Sequence, residues 1–303
     1  MRVVLIVNAS ASAVTARARV VIAKALSADH DVSVAETSRR GHATRLAQGA
    51  AVDGAGCVVV LGGDGTLNEA ANGLAGSATA LGVLPGGSTN VFARTIGMTN
   101  DPIEATGELL AAMAAGQRHR IGLGSVNGRY FLFHVGAGFD AAVVAQVEKR
   151  GALKRYAGHP LFIYATLLTW FRHYDRSRPR FAISVDGSVI DDASFAIVQE
   201  TNPYTFLGNR PFNTAPTASF DDGLSLLAFR SLKLPTLLGG IASALGTGRT
   251  LGRKRGLVQR TDVDRIVITG HGPFPYQVDG DYLGDTELLD IRHEPACLDL
   301  FLP

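Results

Sequence analysis

The stretch Cys57-Val58-Val59-Val60-Leu61-Gly62-Gly63-Asp64-Gly65-Thr66-Leu67-Asn68-Glu69 leaves the chain few folds to choose from. A uniformly apolar, β-branched run that passes at once into a glycine turn and a helix-forming segment reads as a strand covered on both faces. Gly62, Gly63 and Gly65 are expected to supply positive φ and to let a ligand approach the backbone. Thr66 and Glu69 stand at the Thr-x-x-Glu spacing of a capping box, which predicts a helix starting here with its free N–H groups facing the turn. Those amides, with the positive end of the helix dipole, favour an anion such as phosphate. Asp64 would repel that anion unless a cation lay between them, so the pattern points to Mg²⁺ held jointly with a nucleotide. A glycine turn in an ordinary doubly wound fold, with Asp64 merely satisfying turn amides, accounts for the same residues without any function.

The surrounding sequence supplies the alternation that such a strand needs. Val3 to Val7 reads as a strand, Val14 to Leu26 as a helix, Asp31 to Ala35 as a weaker strand and His42 to Ala51 as a helix. After the central strand and a helix to Leu74, Ala80 to Leu84 is the next strand, ending in Pro85-Gly86-Gly87-Ser88-Thr89-Asn90. This rhythm predicts a mostly parallel sheet with helices on both faces. Ligands bind such sheets beyond the carboxyl ends of the strands, where three small-residue loops would converge: Asn8 to Ala13, Gly62 to Thr66 and Gly86 to Asn90. Arg94 either neutralises phosphate charge there or is a solvated surface arginine.

After the alanine-rich segment Ile103 to Ala115 the pattern changes to short alternating runs. Arg129 to Val135, Arg180 to Val185, Leu224 to Phe229, Arg265 to Thr269, Tyr276 to Val278, Leu288 to Arg292 and Ala296 to Leu302 all read as strands. Asp186-Gly187 and Asp279-Gly280 are hairpin turns by composition. The fold class is therefore an N-terminal doubly wound, Rossmann-like α/β domain over residues 1–120, then an antiparallel β-sandwich domain over 121–303, whose last strand can return to the first domain. A chain of 303 residues is long enough for two cores.

Composition narrows the function classes. A net charge of +2 gives duplex nucleic acid no evident footprint. Cys57 and Cys297 form neither a disulfide framework nor a zinc spacing, which suits buried thiols in a reducing compartment. Met1-Arg2 leads directly into a strand, leaving no apolar signal segment, and no apolar run is long enough to span a bilayer. The expectation is a cytoplasmic protein, soluble or peripheral on the inner face of the membrane.

Several features of the second domain are open to two readings. In Gly136-Ala137-Gly138-Phe139-Asp140-Ala141, Asp140 is a helix N-cap or a functional acid. Phe220-Asp221-Asp222-Gly223-Leu224 is a turn before a strand or an oxygen-ligand cation loop. Leu161 to Phe171, followed by Arg172, His173, Arg176, Arg178 and Arg180, and Leu234 to Leu245, followed by Arg249, Arg253, Lys254 and Arg255, are apolar helices with basic flanks. They fit an interfacial helix on anionic lipid, or helices packed on the sandwich with solvated charges.

Taken together and in order, GGDGTLNEAANGL, LGVLPGGSTNVFAR, GAGFDA, FDDGL and VDGDYLGDT resemble the diacylglycerol kinase catalytic-domain family, the bacterial lipid-kinase group that includes sphingosine kinases and is distantly related to NAD kinases. The resemblance implies transfer of the γ-phosphoryl group of ATP to the hydroxyl of diacylglycerol or a similar lipid, in a cleft between the two domains, with Mg²⁺ as cofactor and a role in phospholipid metabolism. By motif position it implies a nucleotide site of Asn8, Thr37, Gly62, Gly63, Asp64, Gly65, Thr66, Gly86, Gly87, Ser88, Thr89 and Asp279. Asp64, Asp140 and Asp221 would be metal ligands, Asp221 in a structural Mg²⁺ loop. Asp64 and Asp281 would be the catalytic residues, Asp281 standing at the family's glutamate base. The implied partners are ATP and a lipid at an anionic membrane surface, with a homodimer left open.

Three positions depart from the family pattern. The first loop reads Asn8-Ala9-Ser10-Ala11-Ser12 where Asn-Pro-x-Ser-Gly is usual, Val91 stands where many bacterial relatives have Asp, and Asp281 is one methylene shorter than Glu. A base must come within about 3 Å of its proton, so either the backbone moves closer, Asp64 takes the base role, or transfer is lost. The alternatives are accordingly a lipid- or nucleotide-binding regulator of the same fold, an NAD kinase or a sphingoid-base kinase.

Overall fold

Strands apolar on both faces are stable only where helices cover them. The computed structural model of the chain, which describes residues 1–149, 164–175 and 178–303, has such strands in β1 (Arg2–Val7), β3 (Cys57–Gly62) and β4 (Ala80–Pro85), with β2 (Asp31–Glu36) at the edge. Every residue of β3 and β4 is buried, whereas no residue of β2 is. The four pair in parallel in the order β2-β1-β3-β4, and Leu300 near the C-terminus extends the sheet beside Leu81 of β4. Helix α1 (Ala16–Leu26) packs with α5 (Pro102–Ala114), and α2 (His42–Val52) packs with α3 (Asp64–Leu74), the layering of a doubly wound sheet. Strand order reverses between β1 and β3, so the loops that follow these two strands flank the crevice where such sheets take ligands.

The start of α3 differs from the expected capping box. The helix begins at Asp64 with Gly63 as its N-cap and no side-chain cap. Thr66 instead accepts a hydrogen bond from Asn8 Nδ2 at 2.9 Å, and the Glu69 carboxylate accepts from the Gly41 and Ala43 amides at 2.7 and 3.0 Å. Gly41 is the N-cap of α2, so Glu69 caps a neighbouring helix. A Thr-x-x-Glu spacing shows only that two polar side chains lie one turn apart. Here both partners are long-range.

Two compact units result, Met1–Leu123 with Glu294–Pro303, and Gly124–His293. Strand β5 (Arg118–Val126) ends in the second unit, where it pairs antiparallel with β6 (Arg129–Phe131). Beyond β7 (His134–Gly138) and α6 (Phe139–Glu148) come β8 (Phe181–Val185), β9 (Ser188–Ala193) and β10 (Phe195–Gln199). The hairpin β11 (Thr205–Leu207) and β12 (Arg210–Phe212) leads to β13 (Leu224–Phe229), β14 (Leu257–Val263), β15 (Arg265–Val278) and β16 (Asp281–Phe301). The order β14-β13-β10-β7-β15 is antiparallel throughout. Strand β15 changes partner along its length: Tyr276–Val278 pairs with β7, and Ile266–Gly270 pairs with β8. It kinks between Thr269 and Phe274, where a Cβ on Gly270 would lie 2.4 Å from the Gly272 carbonyl oxygen. Phe131, Phe181, Ile183, Ile268, Phe274 and Leu289 fill the core.

Both Asp-Gly turns have the residues and φ values of tight hairpins, 48° and 70° at Asp186-Gly187 and 49° and 82° at Asp279-Gly280. The runs Leu288 to Arg292 and Ala296 to Leu302, expected as separate strands, belong to the single strand β16. The outer face of β10 and β13 is covered by α6 and by a helix at Leu234–Leu245, around a second core that includes Val143, Phe195, Leu227 and Phe229. Leu161, Phe162, Ile163 and Arg176 of the first basic-flanked helix lie outside the described residues. Among the described residues no helix is long and apolar enough to cross a membrane.

Candidate functional site

In the first unit the three small-residue loops are tied to one another by hydrogen bonds. The Asn8 amide donates to Leu61 O at 3.0 Å, Ala13 N–H to Gly86 O at 2.9 Å, and Gly86 N–H to Gly62 O at 2.8 Å. Thr37 joins the same edge by donating its N–H to Val7 O at 2.9 Å. None of Gly62, Gly63, Gly65, Gly86 or Gly87 has positive φ, contrary to the expectation from sequence. Three of these glycines are small for a different reason. A Cβ on Gly86 would lie 2.8 Å from Gly62 Cα, one on Gly87 2.9 Å from Gly63 Cα, and one on Gly62 2.9 Å from the Thr66 side chain. The two glycine loops are therefore packed backbone to backbone. Gly86→Ala is expected to lower stability by about 2 kcal/mol through this overpacking, read as an earlier midpoint in urea unfolding. Gly65 is the exception, since a Cβ there would meet nothing within 4 Å.

Asp64 holds the second loop to the first. Its Oδ2 accepts from Val91 N–H and its Oδ1 from Phe92 N–H, both at 3.0 Å, at the start of the short helix α4 (Val91–Thr95). Burial raises its pKa above the ordinary carboxylate value, against the pull of these amides. Asn90, left-handed at φ 50°, closes the same loop by accepting from Gly87 N–H at 2.7 Å. Ser88 and Thr89 lie within that closed turn. Val91 contributes its backbone N–H to Asp64, a contact independent of its side chain.

In the second unit, Asp140, Asp279 and Asp281 fall in one neighbourhood. Asp140 does not cap its helix: Gly138 at φ 80° is the N-cap, and Asp140 points inward. Its Oδ1 accepts from the Tyr204 hydroxyl at 2.5 Å and its Oδ2 from Gln277 Nε2 at 2.7 Å. Burial raises the Asp140 pKa, and these two donors oppose the rise. Gly136 makes room for it, because a Cβ there would sit 1.8 Å from Oδ2. Gln277 also accepts from Gly280 N–H at 2.7 Å, joining Asp140 to the tip of the β15–β16 hairpin. At that tip the Asp279 carboxylate accepts from Leu132, Phe133 and His134 amides at 2.7, 3.0 and 2.9 Å. Asp281, two residues on, faces Arg129 at 3.6 Å. Asp221 stands apart, exposed in the turn before β13.

Asp140 also borders a cavity of about 320 Å³ on the outer face of the sheet, walled by Phe139, Val143, Phe195, Ile197, Leu227 and Phe229. It is the one carboxylate in a lining that is otherwise almost wholly apolar. Among the described residues no three His, Cys, Asp or Glu side chains are grouped to hold a metal ion. Both oxygens of Asp140 accept from side-chain donors and both oxygens of Asp64 from backbone amides, while Asp221 lies in an exposed turn. The donor set fits Mg²⁺ only as a companion of nucleotide phosphates, with Asp64 as the carboxylate at the loops.

Residues 2–126 match the family profile described as the diacylglycerol kinase catalytic domain. They belong to that family. A Bacillus subtilis protein named Diacylglycerol kinase is 37% identical over 120 residues, 39% of this chain and 39% of its own length. A protein of Chromohalobacter salexigens named Probable lipid kinase YegS-like is 31% identical over 211 residues, 68% of this chain and 64% of its own. The aligned stretch thus spans less than two thirds of either curated relative. In fold the likeness spans the whole chain: a crystal structure of a candidate diacylglycerol kinase from Bacillus anthracis covers 100% of this chain and 97% of its own, with a TM-score of 0.77 at 24% identity.

Against the diacylglycerol kinase catalytic-domain motifs, two neighbours of Asp140 carried no signal in the sequence. Tyr204 sits in the irregular stretch just before β11, and Gln277 reads only as one more strand residue. Gly136 did carry one, since a glycine inside a strand pattern marks close approach by another group.

Proposed function

We propose that this protein is an ATP-dependent lipid kinase that transfers a phosphoryl group to the hydroxyl of diacylglycerol or a similar lipid, working as a peripheral protein at the cytoplasmic face of an anionic membrane. The observation that carries the lipid half is the almost wholly apolar cavity bordered by Asp140, a lining suited to an acyl chain. The family match of residues 2–126 and the loops at the carboxyl edge of the parallel sheet support ATP as donor.

In this reading the amides at the start of α3 and the knitted glycine loops receive the phosphates, and Asn8 and Thr66 fix the entrance to the first loop. Mg²⁺ accompanying the nucleotide supplies charge neutralisation on the phosphate oxygens. Asp64, held by two amides, is the side chain that would contact it. Asp140 orients the polar end of the lipid through Tyr204 and Gln277, and Asp279 fixes the hairpin that presents Asp281, the proposed acceptor of the hydroxyl proton.

The test is phosphorylation of a lipid panel with labelled ATP and Mg²⁺, comparing the wild type with Ala244→Phe, which fills the cavity from one wall. Phosphorylated diacylglycerol is expected from the wild type, and a KM for that lipid raised about tenfold or more in the variant, the cost of excluding one buried apolar group. The reading fails if no lipid accepts label, or if NAD accepts it instead.

A further inference from the structure

The Leu234–Leu245 helix contains no charged residue and is apolar on two adjacent faces. One face is accounted for. Gly240 and Ala244 are buried, and Leu237 packs on the second core. The other is bare: Leu234, Leu238 and Ile241, spaced by four and three residues, are 51%, 55% and 42% exposed. An apolar stripe left open to solvent beside a packed one belongs against another apolar phase.

The bare stripe extends onto neighbouring elements. Trp170 donates its Nε1–H to Leu232 O at 3.1 Å, which sets the Trp170–Phe171 pair beside the start of the helix, with Phe171 68% exposed. Leu167, also exposed, lines the same cavity as Leu237 and Ile241. An apolar surface therefore surrounds the cavity, and this continuity favours an apolar phase as its occupant.

Charge decides which one. Residues 223–260 contain no Asp or Glu, while Lys233, Arg249, Arg253, Lys254, Arg255 and Arg260 are all exposed. Arg210, also exposed, is fixed at the end of the helix by donating Nε–H to Leu245 O at 3.1 Å. A second copy of the chain, paired through the same patch, would bring these cations against their own likeness. An anionic bilayer suits both the apolar stripe and the cations of this acid-free segment.

We propose that Leu234, Leu238, Ile241 and Phe171, together with the exposed cations Arg249, Arg253, Lys254 and Arg255 of the segment that follows the helix, form the surface by which this protein docks on anionic membranes, placing the apolar cavity against the bilayer. The purpose of the surface rests on the lipid-kinase reading, but docking itself is measurable without ATP or turnover.

Trp170 is the only tryptophan in the sequence and half-buried at the edge of this surface, so it reports docking directly. The full-length protein is titrated, without nucleotide, with vesicles of phosphatidylcholine alone or with phosphatidylglycerol, some carrying acyl chains brominated near the headgroup. Binding to the anionic vesicles with quenching of Trp170 is expected, and far weaker binding to neutral ones. Leu238→Ser is expected to lower partitioning about tenfold, and Arg253→Gln with Lys254→Gln by more than tenfold, with unchanged circular dichroism. Equal binding to neutral and anionic vesicles, unaltered binding by either variant, or a vesicle-free dimer that buries Trp170 overturns the proposal. Vesicle binding without phosphorylation of any lipid would leave the docking surface standing and sink the kinase reading; phosphorylation of dispersed lipid without vesicle binding would do the reverse.

Discussion

Gly65→Ala should leave the protein folded and remove most of its affinity for ATP. The substitution adds one methyl at a position whose φ is not left-handed and whose Cβ would meet nothing within 4 Å. Inside a helix the exchange of glycine for alanine is favourable by up to about 1 kcal/mol, so thermal stability should hold or rise. The open space is nevertheless the space at the N-terminus of α3, where a phosphate would have to approach the amides. Losing two charge-assisted amide contacts at about 1.5–3 kcal/mol each corresponds to a Kd raised at least a hundredfold. Calorimetric titration with a non-hydrolysable ATP analogue, paired with a thermal melt, separates the two effects. An unchanged Kd would mean that phosphate docks elsewhere and that the loop is only a turn. Gly86→Ala gives the opposite profile, since its added carbon strikes the Gly62 backbone.

Asp279→Ala should be the most destabilising single change in the second unit. Three successive amides, those of Leu132, Phe133 and His134, donate to this one buried carboxylate, and alanine offers them nothing. Buried amides left without acceptors cost about 1–3 kcal/mol each, so a loss of about 4 kcal/mol is expected after partial relaxation. For a unit of this size that lowers the melting temperature by roughly 10 °C. Asp279→Asn keeps one acceptor oxygen and should lose about half as much. Hydrogen exchange supplies the local readout: protection at Leu132 to His134 should collapse before that of β10 and β13. A variant as stable as the wild type would show that the clamp contributes nothing to the fold.

The parallel sheet was legible because β3 and β4 are apolar on both faces and each ends in glycines, so composition and punctuation agreed. The antiparallel strands were legible as pieces. Their joining was not, because the kink near Gly270 and the single strand through Ala296 depend on which neighbours each half of a strand meets. Local motifs misled where their partners lay far along the chain. Glu69 had the spacing to cap its own helix and caps another, and Asp140 had the position of an N-cap but turns inward to Tyr204 and Gln277. The glycines of the two loops were right for the wrong reason: Gly62, Gly86 and Gly87 are small because two backbones touch, a contact that no spacing within either motif records. Asp64 was singled out as an acid among phosphate loops, yet its observed partners, the Val91 and Phe92 amides, belong to a different motif.

Strand β16 carries a consequence for how the chain is made. Its residues from Glu294 onward complete the first unit: Leu300 pairs with Leu81, Cys297 O accepts from Gly76 N–H, and Asp299 takes hydrogen bonds from Arg118 and Arg120. Until that segment exists, β4 has an unpaired edge and Arg118 and Arg120 lack their buried carboxylate. All of the second unit precedes it in the sequence, so a ribosome must synthesise the second unit before the first can close its sheet. The nascent N-terminal unit therefore waits with an open strand edge through most of synthesis, a window in which a chaperone, or an aggregating neighbour, finds it unfinished.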